Sequence, residues 1–175
     1  VKAAEIANEG ITAEYNSGSS GRTTLEVIQS NSLLLNAQIS LADSDLDEIT
    51  TSGAIIIGDA SSGAVTIGGA IQPSGSEAIQ FSGSSVALNA NVTTANADIT
   101  FVPAVTVGAD VTIDSGAGVG DITFSSTLDG GQAVVLDAGS GGINFNGVVG
   151  ATALTSLATT GTTGSISIGQ NVTTT

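Results

Sequence analysis

The sequence predicts an all-β protein, a parallel β-helix (β-solenoid) with coils of 21–23 residues. Two observations lead to this fold class: a four-residue phrase recurs at nearly constant spacing, and apolar and polar residues alternate within it as they do in a strand. The phrase is D-I-T-F at 98–101 and 121–124, G-I-N-F at 142–145 and S-I-S-I at 165–168. A repeat of this length buries its apolar side only by stacking on its neighbours, which a coil of short parallel strands allows.

The repeat divides the carboxyl-terminal part of the chain into consecutive units. The complete units are 98–120, 121–141 and 142–164, and a partial unit covers 165–175. A second apolar residue lies twelve residues after the phenylalanine of each complete unit and marks a second apolar segment. Turn-forming residues such as Gly, Ser, Asp and Asn lie between the two segments. We therefore expect two strands per coil, each paired with the equivalent strands of the neighbouring coils.

Stacking in register predicts two columns of apolar side chains inside the solenoid. The first column contains Phe101, Phe124 and Phe145, flanked by Ile67 and Ile168. The second column contains Leu88, Ile113, Leu136 and Leu157. An antiparallel β-sandwich is the alternative fold, because short strands with regular turn signals suit it as well. Adjacent antiparallel strands do not require similar sequences, however, whereas the equivalent strands of successive coils share one environment.

The repeat is harder to follow towards the amino terminus. We predict that residues 54–175 form the solenoid, and that residues 1–53 form irregular coils, a cap or a junction to another module. The second apolar segment has close matches at 32–37 and 85–90 and a looser match at 54–59. The start at a residue other than Met and the end within a unit also suggest a processed chain or a segment of a longer protein.

Two spacings describe this irregular part. Leu35 and Ile57 are 22 residues apart, which is one repeat length, so we expect them to be equivalent. Ile67 and Leu88 are 21 residues apart where twelve are expected. An insertion of roughly nine residues, which includes a Q-P-S-G turn, explains the difference, and 78–81 then supplies an extra short strand.

The charge composition excludes several kinds of partner. The net charge is −14, and Lys2 and Arg22 are the only basic residues of the sequence. Nucleic-acid binding and attraction to anionic membranes both depend on Lys and Arg, so we expect neither. No apolar run approaches the ~18 residues of a membrane span, so we expect no membrane insertion of this segment. Glycine motifs that bind phosphates are absent, and we expect no cofactor.

The sequence offers little for catalysis, since it contains no His and no Cys and therefore none of the usual nucleophile–base pairs. We predict no enzyme activity and assign no catalytic, cofactor-binding or metal-binding residue. Four aspartates recur at repeat positions, which predicts turn side chains that bond their own backbone. They are Asp98, Asp114, Asp121 and Asp137. The alternative is that paired carboxylates hydrolyse a glycoside.

Two further polar patterns have structural interpretations. Asn36, Asn89, Asp114 and Asp137 share one position of the second segment, which predicts a ladder of stacked polar side chains. The acidic cluster at 43–48, D-S-D-L-D-E, begins like a calcium loop but lacks the glycine and the glutamate that such a loop requires at its sixth and twelfth positions. We interpret the cluster as a solvated acidic turn, with calcium binding as the open alternative.

The repeats D-I-T-F…V-T-I-D-S-G-A-G and D-I-T-F-S-S-T-L-D-G-G resemble the repeat regions of very large exported bacterial proteins. These are filamentous-haemagglutinin-like adhesins of two-partner secretion, related autotransporter passengers and β-strand-repeat surface proteins. The resemblance covers 54–175 well and 1–53 weakly. It implies a right-handed β-helical rod, export to the cell surface, and a role in adhesion, biofilm or filament formation. No catalytic residues are carried over, because the resembling regions are stalks.

We therefore expect a non-enzymatic structural segment of an exported adhesin or cell-surface protein, located outside the cell and acting as an elongated stalk. One alternative is a subunit of a self-assembling extracellular filament. Another is a carbohydrate-binding or carbohydrate-active β-helix module. The expected partners are further copies of the chain, joined end to end or along a strand edge, and host or matrix glycans or proteins.

Overall fold

Three parallel sheets form the walls of a β-solenoid in the computed structural model, which describes residues 6–7, 10–11, 33–35, 43–47, 49, 51 and 53–175. The solenoid has about five turns and almost no helix, which confirms the predicted fold class. The alternative antiparallel sandwich is wrong, because every strand pairing within the three sheets is parallel.

The strands of a coil visit the three sheets in a fixed order. Outside the sheets, the described residues form an antiparallel pair and one helical turn: β1 (Ile6–Ala7), β2 (Gly10–Ile11) and α1 (Asp43–Leu46). The first sheet contains β3 (Leu33–Leu35), β4 (Ile55–Ile57), β6 (Ile79–Phe81), β9 (Ile99–Phe101), β12 (Ile122–Phe124), β15 (Ile143–Phe145) and β18 (Ile166–Ile168). The second sheet contains β5 (Val65–Ile67), β7 (Val86–Leu88), β10 (Val105–Val107), β13 (Leu128–Asp129), β16 (Val149–Leu154) and β19 (Val172–Thr174). The third sheet contains β8 (Val92–Thr93), β11 (Val111–Asp114), β14 (Ala133–Asp137) and β17 (Ser156–Thr159).

The predicted phenylalanine column lies on the inner side of the first sheet. Phe124 pairs in register with Phe101 on one side and Phe145 on the other, and its ring centroid lies 5.0 and 5.4 Å from theirs in parallel stacks. Ile168 follows Phe145, as predicted. Phe81, and not Ile67, precedes Phe101.

The prediction for Ile67 is wrong because this residue lies in the second sheet, where it pairs with Leu88. Both residues belong to alternating apolar segments, and alternation alone does not tell which wall a strand joins. The strand at 79–81 is therefore the regular first-sheet strand of its coil and not an extra one. The predicted equivalence of Leu35 and Ile57 is confirmed, since the two residues pair in register.

The predicted second column is correct only in its centre. Ile113 and Leu136 pair in the third sheet, but Val92 takes the place predicted for Leu88. At the other end, Thr159 pairs with Leu136. Leu157 pairs instead with Val134, two positions earlier.

The displacement at Leu157 arises in the coil that begins with β15. Leu128 pairs with Val149 in the second sheet and Val134 pairs with Leu157 in the third, so this coil has two more residues between the two walls. The register of β16 shifts between Val149 and Leu154 to accommodate them. Leu154 thereby becomes fully buried.

Each complete coil has three strands, whereas the sequence predicts two. In the units from residue 98 onwards, the strands of the second sheet fall in the segments that the sequence predicts to be turns, and β10 and β13 are only two or three residues long. Their inward side chains, including Val105, Val107 and Leu128, complete a core that is continuous along the solenoid. The predicted boundary between 53 and 54 stays a prediction, because most residues before it lie outside the described part of the chain.

A column of glycines allows the coils to approach closely where the third sheet turns back to the first. A Cβ atom at Gly120 would lie 2.6 Å from the Ala97 carbonyl oxygen. Gly141 and Gly164 occupy the same place in later coils, where a Cβ would overlap the carbonyl oxygens of Gly120 and Gly141, respectively. Glycine is required at these three positions because the backbone of the preceding coil fills the space.

Candidate functional site: the aspartate corner

A surface cleft of the described solenoid lies at the turn between the third and first sheets, which we call the aspartate corner. It has a volume of about 340 Å³. Its lining combines two carboxylates, two hydroxyl groups and several residues without side-chain polar atoms. The lining residues are Asp114, Gly116, Ala117, Asp137, Gly139, Ser140, Gly161 and Thr163.

The two carboxylates of the corner come from adjacent coils. Asp114 ends β11 and Asp137 ends β14, and the two residues pair in register. Each carboxylate accepts a hydrogen bond from its own turn: Asp114 Oδ1 from Gly116 N–H at 2.7 Å, and Asp137 Oδ1 from Gly139 N–H at 3.0 Å. The predicted turn role is confirmed for these two aspartates.

Asp98 and Asp121 act differently from the prediction. Asp98 Oδ1 accepts a hydrogen bond from the Asp121 N–H at 2.8 Å, and Asp121 Oδ1 accepts one from the Gly142 N–H at 2.6 Å. Each carboxylate therefore bonds the backbone of the following coil, and the prediction that it bonds its own turn is wrong. The series stops at Gly142, which has no side chain to continue it.

The same kind of bond recurs at the other turns of the solenoid. In each case a side-chain oxygen accepts a hydrogen bond from a backbone N–H of the following coil, at 2.6–3.2 Å. The pairs are Asn91 with Thr112, Asn96 with Gly118, Asp110 with Ala133, and Asp129 with Thr152. Each side chain thereby gives a partner to a backbone N–H of the next coil. Thr112, Ala133 and Thr152 lie in strands, and Gly118 lies in a turn.

Buried hydroxyl groups lie beneath the aspartate corner and were not identified from the sequence. Ser115 is fully buried, and its Oγ donates to the Gly120 carbonyl oxygen at 2.6 Å. Thr94, one coil earlier, donates in the same way to the Ala97 carbonyl oxygen at 2.5 Å. The sequence feature that could have identified them is a Ser or Thr directly after a strand of the third sheet: Thr94 follows β8 and Ser115 follows β11.

The predicted polar column is wrong for Asn89, which follows β7 in the second sheet and is not aligned with Asp114 and Asp137. Asn36 lies outside the described residues. The strand phrase around Asn89 matched that around Asp114, but the two phrases belong to different walls. Sequence likeness between walls has the same origin as likeness within one wall, namely an apolar interior on one side and solvent on the other.

The acidic cluster at 43–48 contacts the Q-P-S-G turn. The Asp43 carboxylate accepts a hydrogen bond from the Gln72 N–H, and Asp47 Oδ1 accepts one from the Ser74 N–H at 2.8 Å. Leu46 lies between these two aspartates in the sequence and is buried. At least part of the cluster therefore fixes the backbone of a neighbouring loop, beyond the solvated turn that we predicted.

Calcium binding by the acidic cluster stays an untested alternative, because Glu48 lies outside the described residues. In the part of the chain that the structure describes, no group of three or more acidic, His or Cys side chains is placed to hold a metal ion.

Asp59 has the clearest electrostatic perturbation of the described carboxylates. Its Oδ1 accepts hydrogen bonds from the Ser61 Oγ at 2.7 Å and the Ser62 Oγ at 2.8 Å, and also from the Ser61 N–H. These bonds, with the Ser61 hydroxyl as the largest cause, lower the pKa of Asp59 below its usual value of 3.8, because they favour the charged carboxylate. Asp59 is a turn residue far along the chain from the aspartate corner.

The aspartate corner places one pair of carboxylates, Asp114 and Asp137, on adjacent strands, and adjacent strands lie ~4.8 Å apart. A pair of carboxylates is also what glycoside hydrolysis requires. However, Asp114 and Asp137 each use one oxygen to close a turn. The cleft lining contains no aromatic side chain against which a sugar ring could stack. The arrangement is best explained by the requirements of the turn.

No helix in the described part of the chain has the length and apolar character needed to span a membrane. No protein-family model matches the sequence, and comparisons with curated proteins and with solved structures gave no significant match.

Proposed function

We propose that this chain is a non-enzymatic structural segment of an exported bacterial adhesin or cell-surface protein, and that it acts there as an elongated stalk. The resemblance of its repeats to those of filamentous-haemagglutinin-like adhesins and autotransporter passengers supports this proposal. So does the use of its recurring aspartates to hold turns and adjacent coils together.

The observation that carries the proposal is the continuity of bonding along the solenoid. The coil that begins with β12 pairs with both neighbouring coils on all three walls. A stack bonded in this way shares tension among many parallel hydrogen bonds. A spacer between a cell and its target requires such resistance to tension.

Removal of one complete unit from the gene in the source bacterium tests this function. Deletion of 121–141 joins Gly120 to Gly142, which is the equivalent of Asp121, so we expect the coils to restack and the rod to shorten by ~4.8 Å. The shortened protein should remain on the cell surface, as measured by antibody labelling and protease treatment of intact cells.

Deletion of 121–131 is the matched control, because it removes about half a coil and moves inward side chains to the wrong wall. We expect this variant to be lost from the surface. Labelling that requires permeabilised cells for the unaltered protein would contradict the proposal, and so would equal display of the two deletion variants.

A second candidate is a filament subunit that stacks end to end. Successive coils pair in register, and Ile168 continues the column of Phe124 and Phe145 in the first sheet. A following coil in the same register, whether from the same chain or from a second copy, would cover Ile168 and pair the strand edges beside it.

Sedimentation and electron microscopy of the purified chain test this candidate. We expect polymers that shorten when Ile168 is changed to Asp, since a buried unpaired charge would oppose stacking. Val119→Asp is the control, because Val119 is 78% exposed at a turn on the side of the solenoid. A chain that stays monomeric at all concentrations would exclude the filament, and so would equal effects of the two substitutions.

A further inference from the structure

Asn146 and Gly147 form the turn between β15 and β16. Asn146 is the only asparagine in the sequence that is followed by glycine. Its side chain is exposed, and its backbone N–H donates to the Phe124 carbonyl oxygen at 3.0 Å. An asparagine before glycine is chemically prone to cyclise, because glycine has no side chain to hinder attack by its amide nitrogen.

We propose that Asn146 is a site of spontaneous deamidation in the folded protein. The backbone nitrogen of Gly147 attacks Asn146 Cγ and forms a new C–N bond. The bond from Cγ to the side-chain nitrogen breaks, and ammonia leaves with the proton displaced from the Gly147 amide. Water then opens the cyclic imide at either carbonyl, which leaves an aspartate or an isoaspartate at position 146.

The fold itself requires the neighbour that makes this reaction easy. A Cβ atom at Gly147 would lie 2.8 Å from the Thr127 backbone nitrogen and would overlap the Ser126 carbonyl group. Any larger residue would push the turn away from the preceding coil. The glycine that allows close stacking is thus also the residue that leaves Asn146 unprotected.

Within the described solenoid, the reacting groups also make no hydrogen bonds that would hold them away from each other. Among the residues that the structure describes, neither the Asn146 side chain nor the Gly147 amide makes a hydrogen bond. Asp129-Gly130 is the natural contrast, since an Asp-Gly pair can form the same imide. There the Gly130 N–H donates to the Thr152 carbonyl oxygen at 3.3 Å, and Asp129 Oδ1 accepts from the Thr152 N–H at 3.2 Å.

The reaction would alter the solenoid at a sensitive place. An isoaspartate inserts the side-chain methylene group of residue 146 into the backbone between Cα and the carbonyl that joins Gly147. The preceding residue is Phe145, whose carbonyl accepts the Gly169 N–H at 2.7 Å. The turn would become longer than its equivalents in neighbouring coils. We therefore expect the segment after residue 146 to become more sensitive to proteases as the protein ages.

Incubation of the folded chain in mildly alkaline buffer, followed by peptide mapping and isoelectric focusing, tests the proposal. We expect aspartate and isoaspartate to accumulate at position 146, with an acidic variant that is lost in Asn146→Gln. Asn144→Gln is the matched control and should keep the variant, because Asn144 precedes Phe145 and its Nδ2 donates to Thr123 Oγ1 at 3.4 Å.

A urea-unfolded sample shows whether the fold itself determines the outcome. Modification at 146 in the unfolded chain but not in the folded chain would overturn the proposal, because the fold would then protect Asn146. An acidic variant that persists in Asn146→Gln would overturn it as well. Absence of any product at 146 in both samples would have the same meaning.

Discussion

The inner columns of the first and third sheets are built by the same repeat but differ in regularity. In the first sheet, phenylalanines at 81, 101, 124 and 145 pair in unbroken register. In the third sheet, the corresponding column passes from Ile113 through Leu136 to Thr159, which is exposed. The difference shows that a coil can absorb extra residues before the third wall while the first wall keeps its register.

The largest expected effect lies in the regular column. Phe124→Ala removes a fully buried ring that stacks on Phe101 and Phe145, and we expect the free energy of unfolding to fall by about 3–5 kcal/mol. Urea denaturation followed by circular dichroism measures the loss. Val119→Ala is the control, since this exposed side chain should contribute less than about 0.5 kcal/mol. Equal losses of unfolding free energy in the two variants would contradict the placement of Phe124 in a buried column.

The irregular column predicts a difference between two leucines that the sequence repeat treats as equivalent. Leu136 is fully buried, whereas Leu157 is only half-buried. We expect Leu136→Ala to cost about 2–5 kcal/mol and Leu157→Ala to cost clearly less, both measured by urea denaturation. If Leu157→Ala were the more damaging change, the register assigned to the third sheet would be wrong.

A smaller effect is expected at the glycine column that joins these two walls. Gly141→Ala places a Cβ against the Gly120 carbonyl oxygen, and we expect a loss of about 1–3 kcal/mol because the backbone must shift. Gly131→Ala is the matched control, since open space surrounds that position; it should be neutral or stabilising by up to about 1 kcal/mol. Thermal unfolding of both variants distinguishes them, and a stable Gly141→Ala variant would show that the coils are not tightly stacked there.

The smallest expected effect concerns pH and lies outside both columns. The Ser61 and Ser62 hydroxyls lower the pKa of Asp59, so its folded form binds a proton less readily than its unfolded form. Asp59 therefore stabilises the fold above its usual pKa of 3.8, and this contribution disappears as the pH falls through the lower folded value. In urea titrations on the acidic side of 3.8, Asp59→Ala should show a shallower decline than the unaltered chain. Parallel pH profiles would refute the assignment.

The regular column could be predicted from the sequence because its strands begin directly after a tight turn. The D-I-T-F phrases keep both their alternation and their spacing, so Phe101, Phe124 and Phe145 could be aligned without a structure. The second sheet could not be predicted as a separate wall, since the segments around Ile67 and Leu88 resemble strands of the other two walls and β13 contains only Leu128 and Asp129. Two residues are too few to show the alternation by which a strand is recognised.

The roles of the aspartates could be predicted only in part. Asp114 and Asp98 are both aspartates next to turns. Asp114 accepts a hydrogen bond from its own turn, whereas Asp98 accepts one from the next coil. The same side chain serves for either bond, and the stacking of the coils decides between them. The sequence shows that glycine recurs at 120, 141 and 164. It does not show why glycine is needed there, because the backbone carbonyl that lies against each position belongs to the preceding coil.

The bonds between coils also give the solenoid a polarity that constrains its symmetry. In the pairs Asn91–Thr112, Asp98–Asp121, Asp110–Ala133 and Asp129–Thr152, the earlier coil supplies the side-chain acceptor and the later coil the backbone donor. At these four turns, one end of a stack therefore offers side-chain oxygens and the other offers backbone N–H groups. A second copy stacked head to tail would repeat the four bonds, whereas a twofold contact would oppose acceptor to acceptor at these turns. An association that repeats the bonds would be heterologous and open, growing as a polar fibre.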